Sequence, residues 1–215
     1  MKKLAAVFAA VMTAVSVWYL CACSTDGMEN VSERRSAYYS ASDGELTVTA
    51  VSGVRETPYT LDGRAGELKP FTLITVVPTV FDVDAVYTYR AVTSAGEYSG
   101  VLAVHPFAAS FSAEFDAETT DDAFTVIVSC GDKTTEYRPT SLVTADMLSC
   151  DRAIDAAIGE LEPSGTYEIR ARLIKNPLEP STGICWHISI YTESGEDSGV
   201  LLDPVTAKVI AKKQA

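Results

Sequence analysis

From residue 45 onward the chain alternates apolar and polar residues in short runs. In "ELTVTAVSG", Leu46, Val48 and Ala50 fall on one side, the period of two that marks a half-buried strand. "FTLITVVPTV" is a denser apolar run, ended by Pro78. "VDAVYTYRAVT" and "YSGVLAVHP" flank "SAGE", which reads as a hairpin from its turn chemistry. "SFSAEFDAE" and "AFTVIVSC" follow, separated by the polar "TTDD", and Gly131–Asp132 turns the chain into "KTTEYRP". About seven short strands at roughly 8–12-residue spacing predict a β-sandwich over residues 45–140, of immunoglobulin-like architecture. The Cys…Trp…Cys mark of antibody domains is missing, so the likeness is architectural only.

After Pro139 the period changes. In "TADMLSCDRAIDAAIGELEP", Ala153, Ile154, Ala157, Ile158 and Leu161 share one helical face. Ser149 is placed to cap the helix, Asp151 suits its first turn, and Pro163 ends it. "TYEIRARLI" then alternates Tyr167, Ile169, Ala171 and Leu173 against Glu168, Arg170 and Arg172. "ICWHISIYTE" sets Ile184, Trp186, Ile188 and Ile190 against Cys185, His187, Ser189 and Tyr191, and "SGVLLDPVTAKVI" brings the chain back. The pattern predicts a helix across a small antiparallel sheet, an α+β domain over residues 144–212. Residues 23–44 are rich in Ser and charge without a sustained apolar period, so they read as a flexible tether.

The N-terminus carries Lys2 and Lys3, an uncharged apolar run over 4–20, and then small residues. This is the layout of a signal peptide, here residues 1–22. The run ends in Leu20-Cys21-Ala22-Cys23, which resembles the lipobox of bacterial lipoproteins. Leu20 stands three before Cys23 and the small Ala22 just before it, whereas Cys21 would need the bulky Leu20 at the cleavage position. The resemblance implies that Cys23 is the lipid attachment site, with the protein exported and anchored on the extracytoplasmic face of a membrane. The alternatives are a retained anchor helix and ordinary secretory cleavage near Ala22.

The order of helix "CDRAIDAAIGEL", strands "YEIRARL" and "CWHISIY", hairpin and "DPVTAKV" resembles the PepSY domain, a small module of protease propeptides and secreted bacterial proteins. Asp203, Thr206 and Val209 match the family's Asp-x-x-Thr-Gly-x-Val, with Ala207 where Gly is usual. The resemblance covers residues 144–212. It implies a non-catalytic interaction module that binds or restrains a peptidase or another envelope protein. It supplies no catalytic residues.

The net charge of −12 becomes −14 once Lys2 and Lys3 leave with the signal, fifteen bases against 29 acids. That balance excludes a general cationic face for nucleic acid or anionic lipid. Three cysteines remain beyond Cys23: Cys130, Cys150 and Cys185. Cys150 belongs to the helix side of the sheet and Cys185 to the far side, so no bridge between them is expected. A Cys130–Cys185 bridge would need the two parts of the chain to pack together. Cys185 and His187 share a strand face, but no third ligand or orienting acid lies near them in sequence, and they read as a strand surface rather than a zinc or thiol–imidazole site. His105 reads as a loop residue. Asp82 and Asp84, and Asp116, Glu118, Asp121 and Asp122, concentrate carboxylates without a twelve-residue calcium loop, so solvated turns are expected. The chain has none of the motifs G-x-S-x-G, S-x-x-K, H-E-x-x-H or C-x-x-C.

These features predict a non-catalytic surface lipoprotein with no metal or cofactor, acting by binding a protein partner. The alternative is an adhesin or carbohydrate- or ligand-binding lipoprotein that works through the β-sandwich.

Overall fold

The computed structural model describes residues 28–193 and 197–214. The expected signal peptide and Cys23 lie outside them. The strands are β1 (Val31–Ser42), β2 (Leu46–Glu56), β3 (Leu68–Pro78), β4 (Tyr87–Thr93), β5 (Gly96–Val104), β6 (Phe111–Phe115), β7 (Thr125–Cys130), β8 (Lys133–Tyr137) and β9 (Thr140–Ser141). After helix α1 (Cys150–Leu161) come β10 (Tyr167–Lys175), β11 (Ile184–Thr192), β12 (Asp197–Leu202) and β13 (Val209–Lys213).

All of them belong to one mixed 13-stranded sheet, in the order β13-β12-β11-β10-β1-β2-β3-β6-β5-β4-β7-β8, with β9 paired to β1. This overturns the expected sandwich followed by a separate α+β domain. Among the described residues the chain is mainly β, a single open sheet with one short α-helix. The element that joins the halves is β1, which pairs antiparallel with β2 and parallel with β10. One edge of β1 is shared: residues Val31 to Arg35 pair with β10, and Tyr39 and Ser40 pair with β9.

Over its described part, the expected tether of residues 23–44 is corrected by the same strand. Residues 31–42 lie near the middle of the sheet, and Val31, Ser32, Glu33 and Tyr39 are buried. Two bulges, between Val31 and Glu33 and between Arg35 and Ala37, explain why the pattern hid it. Each bulge shifts the side chains by one place, so the period of two is lost although the pairing continues. At the second bulge the backbones close up. A Cβ on Gly53 would lie 1.8 Å from the Arg34 carbonyl oxygen, so only glycine fits opposite it.

Two apolar clusters cover the sheet. One collects Val48 and Ala50 of β2, Ile74 and Val76 of β3, and Phe111 and Phe115 of β6 with Tyr89, Ala91, Val126 and Val128 of β4 and β7. The curl that unites them passes through β5, whose Gly96–Leu102 stretch pairs with β4 and whose Ala103 and Val104 pair with β6. The second cluster sits under α1, where Ala153, Ile154 and Ala157 meet Ile169, Leu173, Trp186, Ile188, Val200 and Leu202. Each large side chain so buried contributes about 1.5–3 kcal/mol. The Ser149 side chain caps α1 by accepting from the Arg152 N–H, and Glu162 ends it in the left-handed region at φ 46°. β1 reaches both clusters, with Val31 in the second and Tyr39 in the first.

Candidate functional site

The end of the sheet where β3 and β5 finish and β4 and β6 begin is unusually apolar. Phe111 marks its floor, paired with Val76 and Val104 across the strands. Phe81 and Tyr87 pack on it, with ring centroids 5.4 and 4.6 Å away. Two loops leave from this floor. The loop between β3 and β4 presents Val80, Val83 and Val86, which are 82%, 59% and 64% exposed, and the loop between β5 and β6 presents Phe107, 92% exposed. The second loop is closed by its own bonds, so Phe107 is held at a fixed tip: the His105 N–H donates to the Ser110 carbonyl at 2.8 Å, and the Phe107 N–H donates to His105 Nδ1 at 3.2 Å. Beside the floor runs a groove of about 470 Å³ lined by Leu46, Pro78, Val80, Tyr87, Val128 and Cys130. Charge enters its lining with Lys133, paired to Glu45. Loops are ordinarily polar, so large exposed apolar side chains on two loops at one end of the sheet depart from the usual pattern. The signal was present in "VPTVFDVDAVY", where apolar residues keep recurring through what has to be a loop.

The other residues singled out in the sequence do not converge. Cys185 and His187 do share a face of β11, but the His187 ring has Ser189 as its polar neighbour, Nε2 to Oγ 3.1 Å. Burial, reinforced by the Arg172 charge, keeps the imidazole below its ordinary pKa. Cys150 joins the cluster beneath α1, whereas Cys185 is buried outside that cluster. Both thiols are free, as is Cys130. Burial pushes the Cys150 thiol up to about 12 and the Cys185 thiol up to about 11, far from the thiolate that nucleophilic or metal chemistry uses.

In the acidic loop after β6, Ala117 and Thr119 turn inward while Asp116 and Asp122 stay exposed. The Thr119 N–H donates to Ser52 Oγ at 2.7 Å, Tyr39 donates its hydroxyl to the Thr119 carbonyl at 2.9 Å, and Thr72 Oγ1 donates to the Ala117 carbonyl at 2.7 Å. Asp121 accepts from the Ser94 N–H at 2.9 Å, and Asp82 from the Asp84 N–H at 3.0 Å. Among the described residues no three His, Cys, Asp or Glu side chains gather as a metal site.

A polar cleft lies on the face of β2, β1 and β10 turned away from α1. Glu33 sits there with its side chain 7% exposed, bridging Arg35, 2.5 Å away, and Arg172. Burial pushes the Glu33 carboxyl up, but the hydrogen bond from Arg172 and the charge of Arg35 outweigh it and hold the group below the usual range. The loop between β2 and β3 closes over this face. The Asp62 and Gly63 N–H groups donate to the buried Glu168 carboxylate at 2.8 and 3.1 Å. Gly63 is held at φ 78°, against Thr166.

The described residues form a mainly β protein whose distinguishing features are an exposed apolar end and a polar cleft. No family model, curated protein or solved structure matches the chain.

Proposed function

We propose that this chain is a non-catalytic, lipid-anchored extracytoplasmic protein that binds a protein partner through the apolar end of its curled sheet. The observation that carries the reading is the group of exposed side chains on two loops around Phe111, with Phe107 at 92% and Val80 at 82% exposure. Aromatic and aliphatic anchors of this kind, beside a groove with a charged pair in its lining, match the make-up of protein-binding surfaces. The raised thiols and the isolated His187 support a binding role over a catalytic one. Anchoring at Cys23 follows from the lipobox-like Leu20-Cys21-Ala22-Cys23, and the PepSY-like pattern over 144–212 makes an envelope peptidase the first partner to test.

A photocrosslinking residue placed at position 107 in the anchored chain, in its native envelope, tests the proposal. The expected result is a discrete adduct with another protein at position 107, weakened at least tenfold by Val80→Ser, with no adduct from position 90 on the outer face of β4. Val80 is so exposed that its substitution leaves stability within about 0.5 kcal/mol. Equal crosslinking from positions 107 and 90, or none from 107, would overturn it.

A further inference from the structure

We infer that the cleft on the α1-free face of β2, β1 and β10 binds a small organic oxyanion, a carboxylate or phosphate carried on a body no larger than a monosaccharide. The register builds the site. Arg55, Glu33 and Arg170 stand on one rung across β2, β1 and β10, and Arg35 and Arg172 stand opposite each other on the next. All five line a cleft of about 370 Å³ together with Glu56 and Tyr59. That places four of the chain's 17 basic residues in one recess of a molecule with a net charge of −12.

The pairing shows which donors are spare. Glu33 takes Arg35 and Arg172, and Arg55 is paired with Glu114 from outside the cleft. None of the ion pairs among the described residues includes Arg170. Its guanidinium carbon lies over two tyrosine rings, 4.0 Å from the Tyr59 centroid and 4.8 Å from that of Tyr191. One of its donors goes to the Tyr59 side chain, and the rest are taken by no carboxylate among the described residues, so they remain to receive an anion. Arg172 adds a second donor, because its Nε is buried with no hydrogen-bond partner among the described residues, a state that is costly unless something accepts from it. Neutralising the buried Glu33 accounts for Arg35 and Arg172, and the buried Glu168, which shares Tyr59 with Arg170, accepts from the Asp62 and Gly63 N–H groups and forms no ion pair with Arg170. The charge of Glu56 on the wall limits the cleft to a ligand that presents its oxyanion toward Arg170 and a hydroxylated body elsewhere.

Calorimetric titration of the purified chain at low ionic strength tests this, with inorganic phosphate, glucuronate and neutral glucose as probes. Saturable binding of phosphate or glucuronate is expected, weakened at least tenfold in Arg170→Gln and unchanged in Arg90→Gln, with glucose silent. The tighter of the two anions assigns the ligand as phosphate or carboxylate. Anion binding that survives Arg170→Gln, or no binding of either anion, would overturn the inference. Should Arg170→Gln fail to fold, phenylglyoxal modification of the unaltered chain decides. Glucuronate or phosphate should slow labelling of Arg170 at least fivefold and leave Arg90 unaffected, and equal rates with and without both anions would refute the site.

Discussion

Ala207 sits at φ 60°, in a region that L-residues with a Cβ avoid. The turn around it is otherwise well bonded. Asp203 Oδ1 accepts from the N–H of Val205 at 3.1 Å and of Thr206 at 2.8 Å, and the Ala207 N–H donates to the Asp203 carbonyl at 3.1 Å. These bonds hold Ala207 where a glycine would rest without strain. Ala207→Gly should therefore stabilise the protein, by about 0.5–1 kcal/mol after the greater freedom of glycine in the unfolded chain is subtracted. In a chain of this size that raises the melting temperature by roughly 1–4 °C, and a fall in a thermal melt would contradict the assignment. At this scale much was legible in advance. Asp203, Pro204 and Thr206 are turn residues by their chemistry, and Ser149 is a cap by its position. Phe107 and Val80 were not recognised, because an apolar residue in a loop looks the same in sequence whether it docks on the core or points to solvent.

Among the elements, hairpins and the helix followed the local pattern closely, since turn residues and periodicity are local properties. β1 did not, since its two bulges and its buried Glu33 break the rule by which strands are read. Its burial is stabilised by partners far along the chain, Arg172 above all. Acid sensitivity is spread over turns and strands, with the buried Glu33 of β1 among the lowered carboxylates. Hydrogen bonds from the Leu46 N–H, the Tyr137 hydroxyl and the Glu45 N–H bring Asp43, in the β1–β2 turn, down to about 2. Asp203 and Asp197 are lowered as well, by the Thr206 backbone N–H and by Lys213 respectively. Carboxylates lowered in the folded state add stability that is complete above their unfolded values and is lost as the pH falls through the folded ones. The melting temperature should begin to slip below about pH 6.5, where the unfolded chain protonates His187, which burial keeps neutral, and fall more steeply between about 4.5 and 2. Asp43→Asn should melt lower than the parent at pH 7, with the gap closing toward pH 2, and a gap independent of pH would contradict the role given to Asp43.

Over the whole molecule, the division into two domains failed for one physical reason. The strand between the halves pairs with both, so the boundary drawn from composition falls inside a continuous sheet. Val31 is packed under α1 and Tyr39 in the other cluster, where its ring meets Phe124 edge-on at 5.1 Å. The apolar end and the arginine cleft are thereby fixed to one framework, which presents both at set positions. A long-range pairing of this kind leaves no local trace, whereas the strands on either side do. The most direct test is hydrogen exchange of the purified chain, followed peptide by peptide. Protection of residues 31–42 on the same time scale as 46–56 and 167–175, lost together under denaturant, is the predicted result. Exchange of 31–42 within seconds, while 46–56 stays protected, would show a tether there and contradict the single sheet.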